Sequence, residues 1–246
     1  MNTRHDSQAP DSPQRIITPS EPWRMQAEDW NQRYATDEFI WSVNPNCFLQ
    51  QHAEELTPGR ALDMAAGECR NAVWLASQGW SVEAVDFAQQ ALQKGWRLAQ
   101  SNGVAERIRL LAADLNDFIP TEQGFDLVTL IYLQLPWDEL APIIQRAARA
   151  VAPGGTLLLI AHHTLNLTHG YGGPRHAEVL YSAEQVVTLL APELLIERAE
   201  QLQRPVITVD GTRHAIDCLA RAMRFGFGQA PICGQRWPQT GTYHYT

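Results

Sequence analysis

The stretch ALDMAAGECRN, residues 61–71, largely decides how the fold of this 246-residue chain is interpreted. It begins as an apolar strand, passes through a turn and enters a helix, which is the place where α/β proteins bind nucleotide cofactors. Loops of that kind usually carry two or three glycines, but this turn has only Gly67. Ala65 and Cys69 occupy the positions where further glycines would be expected. The identity of the cofactor can therefore be inferred only by asking which ligands a turn with one glycine can bind.

Around this turn, short apolar runs alternate with helical patterns. The runs lack the polar alternation of a sheet with one exposed face, which predicts a parallel sheet covered by helices on both faces. The helix after the second strand is expected to be interrupted at Gly95. The last two runs have no helix between them and predict an antiparallel hairpin. The predicted fold class is α/β, a doubly wound, mostly parallel seven-stranded sheet with that C-terminal hairpin at its edge. The predicted strands are RALDM, SVEAVDF, IRLLAAD, FDLVTLIY, TLLLIAHH, LLIERAEQL and HAIDCLARAMR.

The chain is predicted to be a single domain behind a disordered tail. Residues 1–22 are polar and contain four prolines, and such a segment cannot bury enough apolar surface to fold. The rest, residues 23–246, shows no internal repeat. Its predicted parts are an N-terminal lid at 23–58, a cofactor-binding core at 59–161, and the substrate loop with the C-terminal hairpin at 162–246.

The composition argues against several classes of partner. Nineteen basic against 27 acidic side chains give a net charge of -8, and no basic stripe suggests nucleic-acid binding. The cysteines form no CxxC pair, which disfavours a zinc knuckle or disulfide scaffold and favours a reducing cytoplasm. The N-terminus lacks the apolar core of a signal peptide, and no apolar run approaches the roughly 20 residues of a membrane span. We expect a cytoplasmic protein with no membrane partner, and the sequence predicts no oligomeric state.

Two familiar cofactor loops do not fit the turn. A G-x-G-x-x-G fingerprint would need glycine at position 70, where helix and strand approach closely, but Arg70 stands there. A P-loop would need a Gly-Lys-Ser/Thr sequence, which is absent. Asp63 and Glu68 would repel a pyrophosphate, whereas they suit S-adenosylmethionine, which carries a sulfonium and an ammonium but no phosphate. An NAD-dependent oxidoreductase is therefore the weaker alternative.

Residues from about 30 to 224 resemble the class I, Rossmann-like S-adenosylmethionine-dependent methyltransferases. The closest similarity is to the small-molecule branch around the tellurite-resistance and thiopurine methyltransferases. From Asp63 the chain has D-x-x-x-G-x-C-R-N, where that branch usually has D-x-x-x-G-x-G-R-N. The segments VEAVDF, AADL, FDLVTLIYLQLP and APGGTLLLIAHH follow in the family's order. The resemblance implies an enzyme that methylates a small molecule. A sensor or pseudoenzyme that binds the cofactor without turnover is the alternative, because a Cys69 side chain would narrow the methionine pocket.

The resemblance also implies roles for individual residues. Asp86 would bind the ribose hydroxyls, and Asp114 would contact the adenine amino group unless it only caps the next helix. Arg33, in a W-x-x-R-Y stretch, would lie near the methionine carboxylate under an aromatic lid. The side chains of that lid are Trp30, Tyr34 and Trp41. The predicted cofactor-binding residues are Arg33, Asp63, Ala65, Gly67, Arg70, Asn71, Asp86, Phe87, Asp114, Leu115 and Tyr132.

The segment after the fifth strand, residues 162–181, is rich in histidine and glycine. A long glycine-bearing loop at this edge predicts a mobile segment that shapes the acceptor pocket. His162 lies nearest the strand end and is predicted to face the acceptor as a base or orienting group. His163, His169 and His176 are expected in a solvated loop, and the histidine spacing matches no metal motif. The predicted reaction is in-line displacement at the sulfonium methyl by a sulfur, nitrogen or oxygen nucleophile.

Overall fold

Helices and strands alternate along the chain as the sequence predicts. The computed structural model describes residues 25–226, so the predicted disordered tail lies outside the described residues. The helices are α1 (Ala27–Tyr34), α2 (Cys47–Ala53), α3 (Arg70–Ser77), α4 (Gln89–Ser101), α5 (Trp137–Ala150), α6 (Asn166–His169) and α7 (Ala183–Leu190). The strands are β1 (Arg60–Met64), β2 (Ser81–Asp86), β3 (Ile108–Ala112), β4 (Phe125–Ile131), β5 (Val151–His162), β6 (Leu195–Thr208) and β7 (Gly211–Met223).

These strands form one seven-stranded sheet in the order β3-β2-β1-β4-β5-β7-β6. Strands β1 to β5 pair in parallel, and β7 pairs antiparallel with both β5 and β6. This arrangement confirms the predicted fold class, including the hairpin at the sheet edge. The strand order reverses between β1 and β4, and α/β sheets bind ligands beyond the carboxyl ends of the strands at such a switch point.

Both faces of the central strands are covered by helices. Neighbouring residues of a strand point to opposite faces, so Leu62 and Met64 pack with α5 and α7, while Ala61 packs with α2, α3 and α4. All three side chains are fully buried. Strands enclosed in this way have no solvent-facing positions, which is why their sequences lack polar alternation. None of the helices within residues 25–226 combines the length and apolarity needed to cross a membrane.

Three elements differ from their predicted form. Helix α4 runs through Gly95 without a break, so the predicted interruption is wrong. Strand β5 begins at Val151, five residues earlier than predicted, and the hairpin strands are longer than predicted. From the pair Gln203–Ile216 to the pair Thr208–Gly211, the hairpin continues beyond the last β5–β7 pair, at the carboxyl edge of β5. Polar residues such as Gln203, Arg204 and Arg213 interrupt the apolar runs in this extension, so the pattern alone ended the strands early.

Candidate active site

A cavity of about 270 Å³ opens at the carboxyl ends of the strands, at the switch point of the sheet. It has two unlike halves, which we call the β1–β2 half and the β4–β5 half. The β1–β2 half is lined by the turn after β1, the end of β2 and the lid, through Met25, Trp30, Tyr34, Trp41, Ala65, Ala66, Gly67, Glu68, Arg70, Asn71, Asp86 and Phe87. The β4–β5 half is lined by Ile131, Tyr132, Leu133, Gln134, Leu135, Pro136, His162, Tyr171, Gly172, Gly173, Pro174, His176, Val179, Arg204 and Val206.

The turn after β1 adopts a glycine-type backbone with only one glycine. Ala65, Gly67 and Cys69 have φ angles of 61°, 53° and 61°, which places all three in the left-handed region that favours glycine. A Cβ atom on Gly67 would lie 3.3 Å from the hydroxyl oxygen of Tyr34, a tight contact with the lid. Glycine therefore stands where the lid comes close, and alanine and cysteine adopt the same backbone at the other two positions.

The Cys69 side chain does not enter the cavity. It is fully buried and packs against Gly95 of α4, where an added Cβ would lie only 2.6 Å from the Cys69 Cβ. The prediction that Cys69 narrows the methionine pocket is therefore wrong. The same contact explains Gly95, since α4 can approach the turn only where it carries no side chain. Burial raises the pKa of the Cys69 thiol, so this cysteine remains protonated.

We expect Gly95→Ala to lower the free energy of unfolding by about 1–2 kcal/mol. Overpacking of a core usually costs about 1–3 kcal/mol, and the better helix propensity of alanine offsets part of it. The measurement is urea unfolding of the four members of a double-mutant cycle with Cys69→Gly. The matched control is the double variant Cys69→Gly with Gly95→Ala, in which the new methyl group has room. In the Cys69→Gly background, Gly95→Ala should therefore destabilise the protein far less than in the wild type. An equal effect of Gly95→Ala in both backgrounds would contradict the proposed collision.

Asp86 cross-links the turns after β1 and β2. One carboxylate oxygen accepts a hydrogen bond from the Gly67 backbone N–H at 2.8 Å, and the other accepts from Ala88 N–H at 2.9 Å. The side chain lines the cavity although the residue is only 7% exposed. Burial raises the pKa of Asp86, against the lowering effect of these hydrogen bonds. Asp86 thus shapes the turn and borders the cavity, and its role as a ribose ligand stays a prediction.

Glu68 has a different environment from the one its sequence position suggested. It is 3% exposed, and its carboxylate accepts hydrogen bonds at 3.1 Å from the backbone N–H groups of Ile40 and Trp41. Lys94, also 3% exposed, donates to it at 3.0 Å and to the Glu38 carbonyl at 2.5 Å. The glutamate charge is therefore neutralised by a buried lysine. Glu68 anchors the lid, and its charge does not select the cofactor in the way the sequence suggested.

The lid aromatics pack together over the β1–β2 half. Trp30 and Tyr34 stack with ring centroids 5.6 Å apart, and the Trp41 indole N–H donates to the Tyr34 hydroxyl at 3.1 Å. The Arg33 guanidinium lies 5.2 Å from the Trp30 ring centroid and 5.6 Å from that of Trp41. Arg33 is not among the residues that line the cavity. Its role near the methionine carboxylate stays a prediction.

Three other predicted residues also lie outside the cavity wall. Asp63 is buried beneath the turn, where one oxygen accepts from the Thr129 hydroxyl at 2.7 Å and the other has no hydrogen-bond partner among residues 25–226. Burial raises the pKa of Asp63 to about 6. Asp114 is exposed and accepts from Asn116 N–H at 2.8 Å within a turn, and since no helix lies between β3 and β4, it caps no helix. Leu115 belongs to the core. The predicted residues that do line the cavity are Ala65, Gly67, Arg70, Asn71, Asp86, Phe87, Tyr132 and His162.

A buried carboxylate organises the β4–β5 half. Asp217 is completely buried on β7, and one of its oxygens accepts from the Tyr132 hydroxyl at 2.8 Å and from Arg204 Nε at 2.9 Å. Its other oxygen lies 3.0 Å from Nδ1 of His162. The Arg204 Nε–H is shared with the Tyr132 hydroxyl oxygen, also at 2.9 Å. We call these four residues the Asp217 network.

The Asp217 network contains two residues that sequence reasoning missed. Asp217 and Arg204 lie on the hairpin, which carries no family motif. The available signal was the acid in HAIDCLARAM, an aspartate among apolar residues of a predicted strand. Burial alone would raise the pKa of Asp217, but hydrogen bonds and charge from His162 and Arg204 outweigh it and lower the pKa. The carboxylate is therefore ionised.

The loop after β5 is tied to the sheet at several points. Asn166 is fully buried, donating to the Gly172 carbonyl at 2.9 Å and accepting from Ile216 N–H at 2.7 Å. A Cβ on Gly173 would lie 2.7 Å from Nε2 of His162, so glycine lets the loop close over the imidazole. The prediction of a solvated loop is wrong for His163, which is 8% exposed. His176 lines the cavity, contrary to the same prediction.

Comparison with known proteins identifies the domain. Residues 61–155 match a family model described as a methyltransferase domain. Residues 61–155 form a methyltransferase domain. Together with the solved structures described below, this match supports the predicted methyltransferase family and enzyme class and S-adenosylmethionine as the cofactor.

Solved structures of other methyltransferases share the fold. The N-methyltransferase NodS from Bradyrhizobium japonicum, solved with S-adenosylhomocysteine, is 18% identical, with a TM-score of 0.61 over 80% of this chain and 97% of that chain. TehB from Haemophilus influenzae is 14% identical, with a TM-score of 0.60 over 80% of this chain and 66% of that chain. At these identities the likeness establishes the fold.

A curated relative matches only in part. The ribosomal RNA small subunit methyltransferase C of Alcanivorax borkumensis is 32% identical over 113 residues. That alignment covers 44% of this chain and 34% of the relative, so this chain spans about a third of the relative's length. A match over so small a part of the relative does not identify the acceptor of this protein, which must be inferred from the geometry of its own cavity.

Proposed function

We propose that this protein transfers the methyl group of S-adenosylmethionine to a small-molecule acceptor by in-line displacement. The observation that carries the proposal is the division of one cavity into two chemically different halves at the switch point of the sheet. The β1–β2 half has the glycine-type turn and the Asp86 carboxylate. The β4–β5 half has an imidazole, a guanidinium and apolar side chains. Two reactants bound in these halves would meet between β1 and β4.

The residues of the β1–β2 half fit S-adenosylmethionine. Asp86 borders the cavity with carboxylate oxygens suited to ribose hydroxyls, as in nucleotide-binding folds generally. Gly67 leaves room for a ligand beside the lid, and the aromatic rings there can attract a sulfonium. When bound, the cofactor supplies a methyl group already activated by attachment to a positively charged sulfur.

The β4–β5 half favours a small acceptor over nucleic acid. It lies under the loop after β5 and the extended hairpin, and its enclosure would exclude water during transfer. The chain carries a net charge of -8, whereas nucleic-acid binders usually present a basic surface. Because a ribosomal RNA methyltransferase is 32% identical to this chain over 113 residues, ribosomal RNA serves as a control in the test.

The protein's own contribution to the reaction is mainly orientation. Since the leaving group is already activated, alignment of the two reactants and exclusion of water provide most of the rate enhancement. The lid anchored by Glu68 closes one side of the cavity, and the loop packed on His162 closes the other. His162 lines the β4–β5 half, which supports its proposed role beside the acceptor.

The proposal is tested by ligand binding followed by turnover. S-adenosylmethionine and S-adenosylhomocysteine should raise the melting temperature, because a ligand selective for the folded state stabilises it. NAD, NADP and ATP serve as controls and should have little effect. Formation of S-adenosylhomocysteine with small molecules, and not with ribosomal RNA, would support the proposal. Cofactor binding without turnover on any acceptor would favour a sensor, and a shift with NAD alone would contradict the proposed cofactor site.

A further inference from the structure

We infer that the acceptor carries an acidic hydroxyl on a largely apolar body, and that His162 removes the hydroxyl proton while Asp217 fixes the imidazole tautomer. This inference rests on the proposed methyl transfer and names the class of substrate for the same cavity. Three observations carry it: the hydrogen bonding of Asp217, the charges that line the β4–β5 half, and the apolar side chains between them.

The Asp217 network determines which imidazole nitrogen is free. One oxygen of Asp217 already accepts two hydrogen bonds, from the Tyr132 hydroxyl and Arg204 Nε. The other oxygen lies 3.0 Å from Nδ1 of His162, a close contact although the angle at Nδ1 falls outside the hydrogen-bond range. A carboxylate oxygen can only accept hydrogen bonds and would repel a nitrogen lone pair at this distance, so the contact calls for the proton on Nδ1. In the neutral ring Nε2 is then the proton acceptor, and the His162 side chain remains 12% exposed on the cavity.

The polar groups of this half favour an anion. Within residues 25–226 its ionisable side chains are Tyr132, His162, Tyr171, His176 and Arg204, and none is a carboxylate. The Asp217 charge is fully buried behind them. Nε2 of His176 is buried without a hydrogen-bond partner among the described residues, and such a group calls for a polar ligand. An acceptor oxygen that develops negative charge would be stabilised here, whereas an ammonium group would be repelled by Arg204.

Arg204 retains hydrogen-bonding capacity toward the cavity. Its Nε donates to the Asp217 carboxylate and the Tyr132 hydroxyl, and its terminal nitrogens make no hydrogen bond to residues 25–226. A guanidinium has five N–H donors, so four remain for a ligand. Its residue is 9% exposed and lines the cavity. Arg204 can therefore stabilise the oxyanion as the proton leaves.

The remaining wall of the half is apolar. It is formed by Leu133, Leu135, Pro136, Val179 and Val206. The aromatic rings of Tyr132 and His162 lie 4.8 Å apart between centroids and offer a flat surface beside this wall. A flat or aromatic molecule with one reacting oxygen matches this combination, because its body would bury apolar area while the oxygen meets the imidazole.

The step balances as a proton transfer coupled to displacement. The acceptor O–H bond breaks and its proton passes to Nε2 of His162, while an oxygen lone pair forms the new C–O bond to the methyl carbon. The methyl–sulfur bond breaks, and its electron pair stays on sulfur, leaving neutral S-adenosylhomocysteine. The resulting imidazolium is stabilised by Asp217 and returns the proton to solvent after the products leave.

Oxygen is favoured over sulfur or nitrogen because of the base. A thiol with a pKa near about 8.5 is partly ionised at neutral pH, whereas a phenolic hydroxyl has a pKa near about 10. A neutral aromatic amine attacks with its own lone pair and needs no base before bond formation. A buried Asp–His pair therefore increases the rate most for a hydroxyl, by about 10²–10⁴-fold as general base.

The first test reads the tautomer without any acceptor. In ¹⁵N-labelled full-length protein, the His162 ring shifts should report a protonated Nδ1 and an unprotonated Nε2. In Asp217→Asn, Arg204 and Tyr132 should hold the amide oxygen, so that the amide NH₂ faces Nδ1 and moves the ring proton to Nε2. A wild-type ring protonated at Nε2 would overturn the inference whatever the outcome for methyl transfer. Should Asp217→Asn not fold, the wild-type spectrum, assigned with His162→Gln, decides alone.

The second test compares acceptors that differ only in the reacting atom. The probes are 4-methylphenol, 4-methylbenzenethiol and 4-methylaniline, assayed by S-adenosylhomocysteine formation at saturating cofactor. We expect the phenol to be methylated fastest. His162→Gln should reduce kcat for it by about 10²–10⁴-fold, with cofactor affinity unchanged, and Asp217→Asn should lower kcat far more than it raises KM.

The outcomes of this comparison separate the two proposals. Preferential methylation of the amine or thiol would overturn the hydroxyl assignment and leave methyl transfer intact. Absence of turnover with all three probes would count against both. Equal losses of the phenol rate and of cofactor affinity in His162→Gln would place the imidazole in the cofactor site and also overturn the inference.

Discussion

Replacing Lys94 with methionine is expected to lower the free energy of unfolding by about 3–5 kcal/mol, the usual effect of breaking a buried ion pair. Lys94 and Glu68 have side chains exposed by only 4% and 2%. Methionine would fill much of the space of the lysine but leave the Glu68 carboxylate buried without its cation. Because the same carboxylate holds Ile40 and Trp41 of the lid, we also expect weaker cofactor binding. Urea unfolding and cofactor titration measure the two effects.

Two controls test the physical cause of that loss. In the double variant Glu68→Gln with Lys94→Met, neither side chain of the pair is charged, so most of the lost unfolding free energy should be regained. Arg109→Met breaks the surface ion pair between Arg109, whose side chain is 71% exposed, and Glu83. This substitution should lower the free energy of unfolding by less than about 1 kcal/mol. Similar losses for Lys94→Met and Arg109→Met would contradict the proposed anchor.

The Glu68–Lys94 pair also shows what sequence reasoning could not reach. Glu68 stands in the cofactor turn, and its position alone suggested a charge directed at the ligand. Its actual partner is 26 residues away on α4, and the lid N–H groups that it binds lie 27 and 28 residues upstream. Side-chain pairing across elements leaves no local pattern in the sequence. The motif identified the right turn and misjudged one of its side chains.

The fold itself was predictable because enclosure on both faces leaves a direct pattern. Runs such as FDLVTLI are apolar at nearly every position, since β4 has helices on either side. The Asp217 network left no such pattern. Arg204 and Asp217 meet because an antiparallel hairpin brings β6 beside β7, and His162 joins them because β5 pairs with β7 at His162–Asp217. His162 was singled out from its place at the strand end, whereas the carboxylate behind it required the structure.

Replacing Asp86 with alanine is expected to weaken S-adenosylmethionine binding by about 1.5–3 kcal/mol, the size of charge-assisted hydrogen bonds to ribose. The substitution also frees the N–H groups of Gly67 and Ala88, so the turn itself would be less well fixed. Isothermal calorimetry measures the affinity, and the melting temperature without ligand measures the change in the turn. Asp86→Asn should retain an acceptor for one of these N–H groups and fall between wild type and alanine.

Asp114→Ala is the matched control for Asp86, because both carboxylates were predicted to bind the cofactor and only Asp86 lines the cavity. Asp114 is exposed and caps its own turn. We expect its replacement to cost at most about 1 kcal/mol in stability, the size of one hydrogen bond in a turn, and to leave cofactor affinity nearly unchanged. Loss of affinity in Asp114→Ala together with normal binding in Asp86→Ala would reverse the assignment. It would mean that the bound cofactor extends toward β3, beyond the wall seen here, and that Asp86 serves only to hold the two turns together.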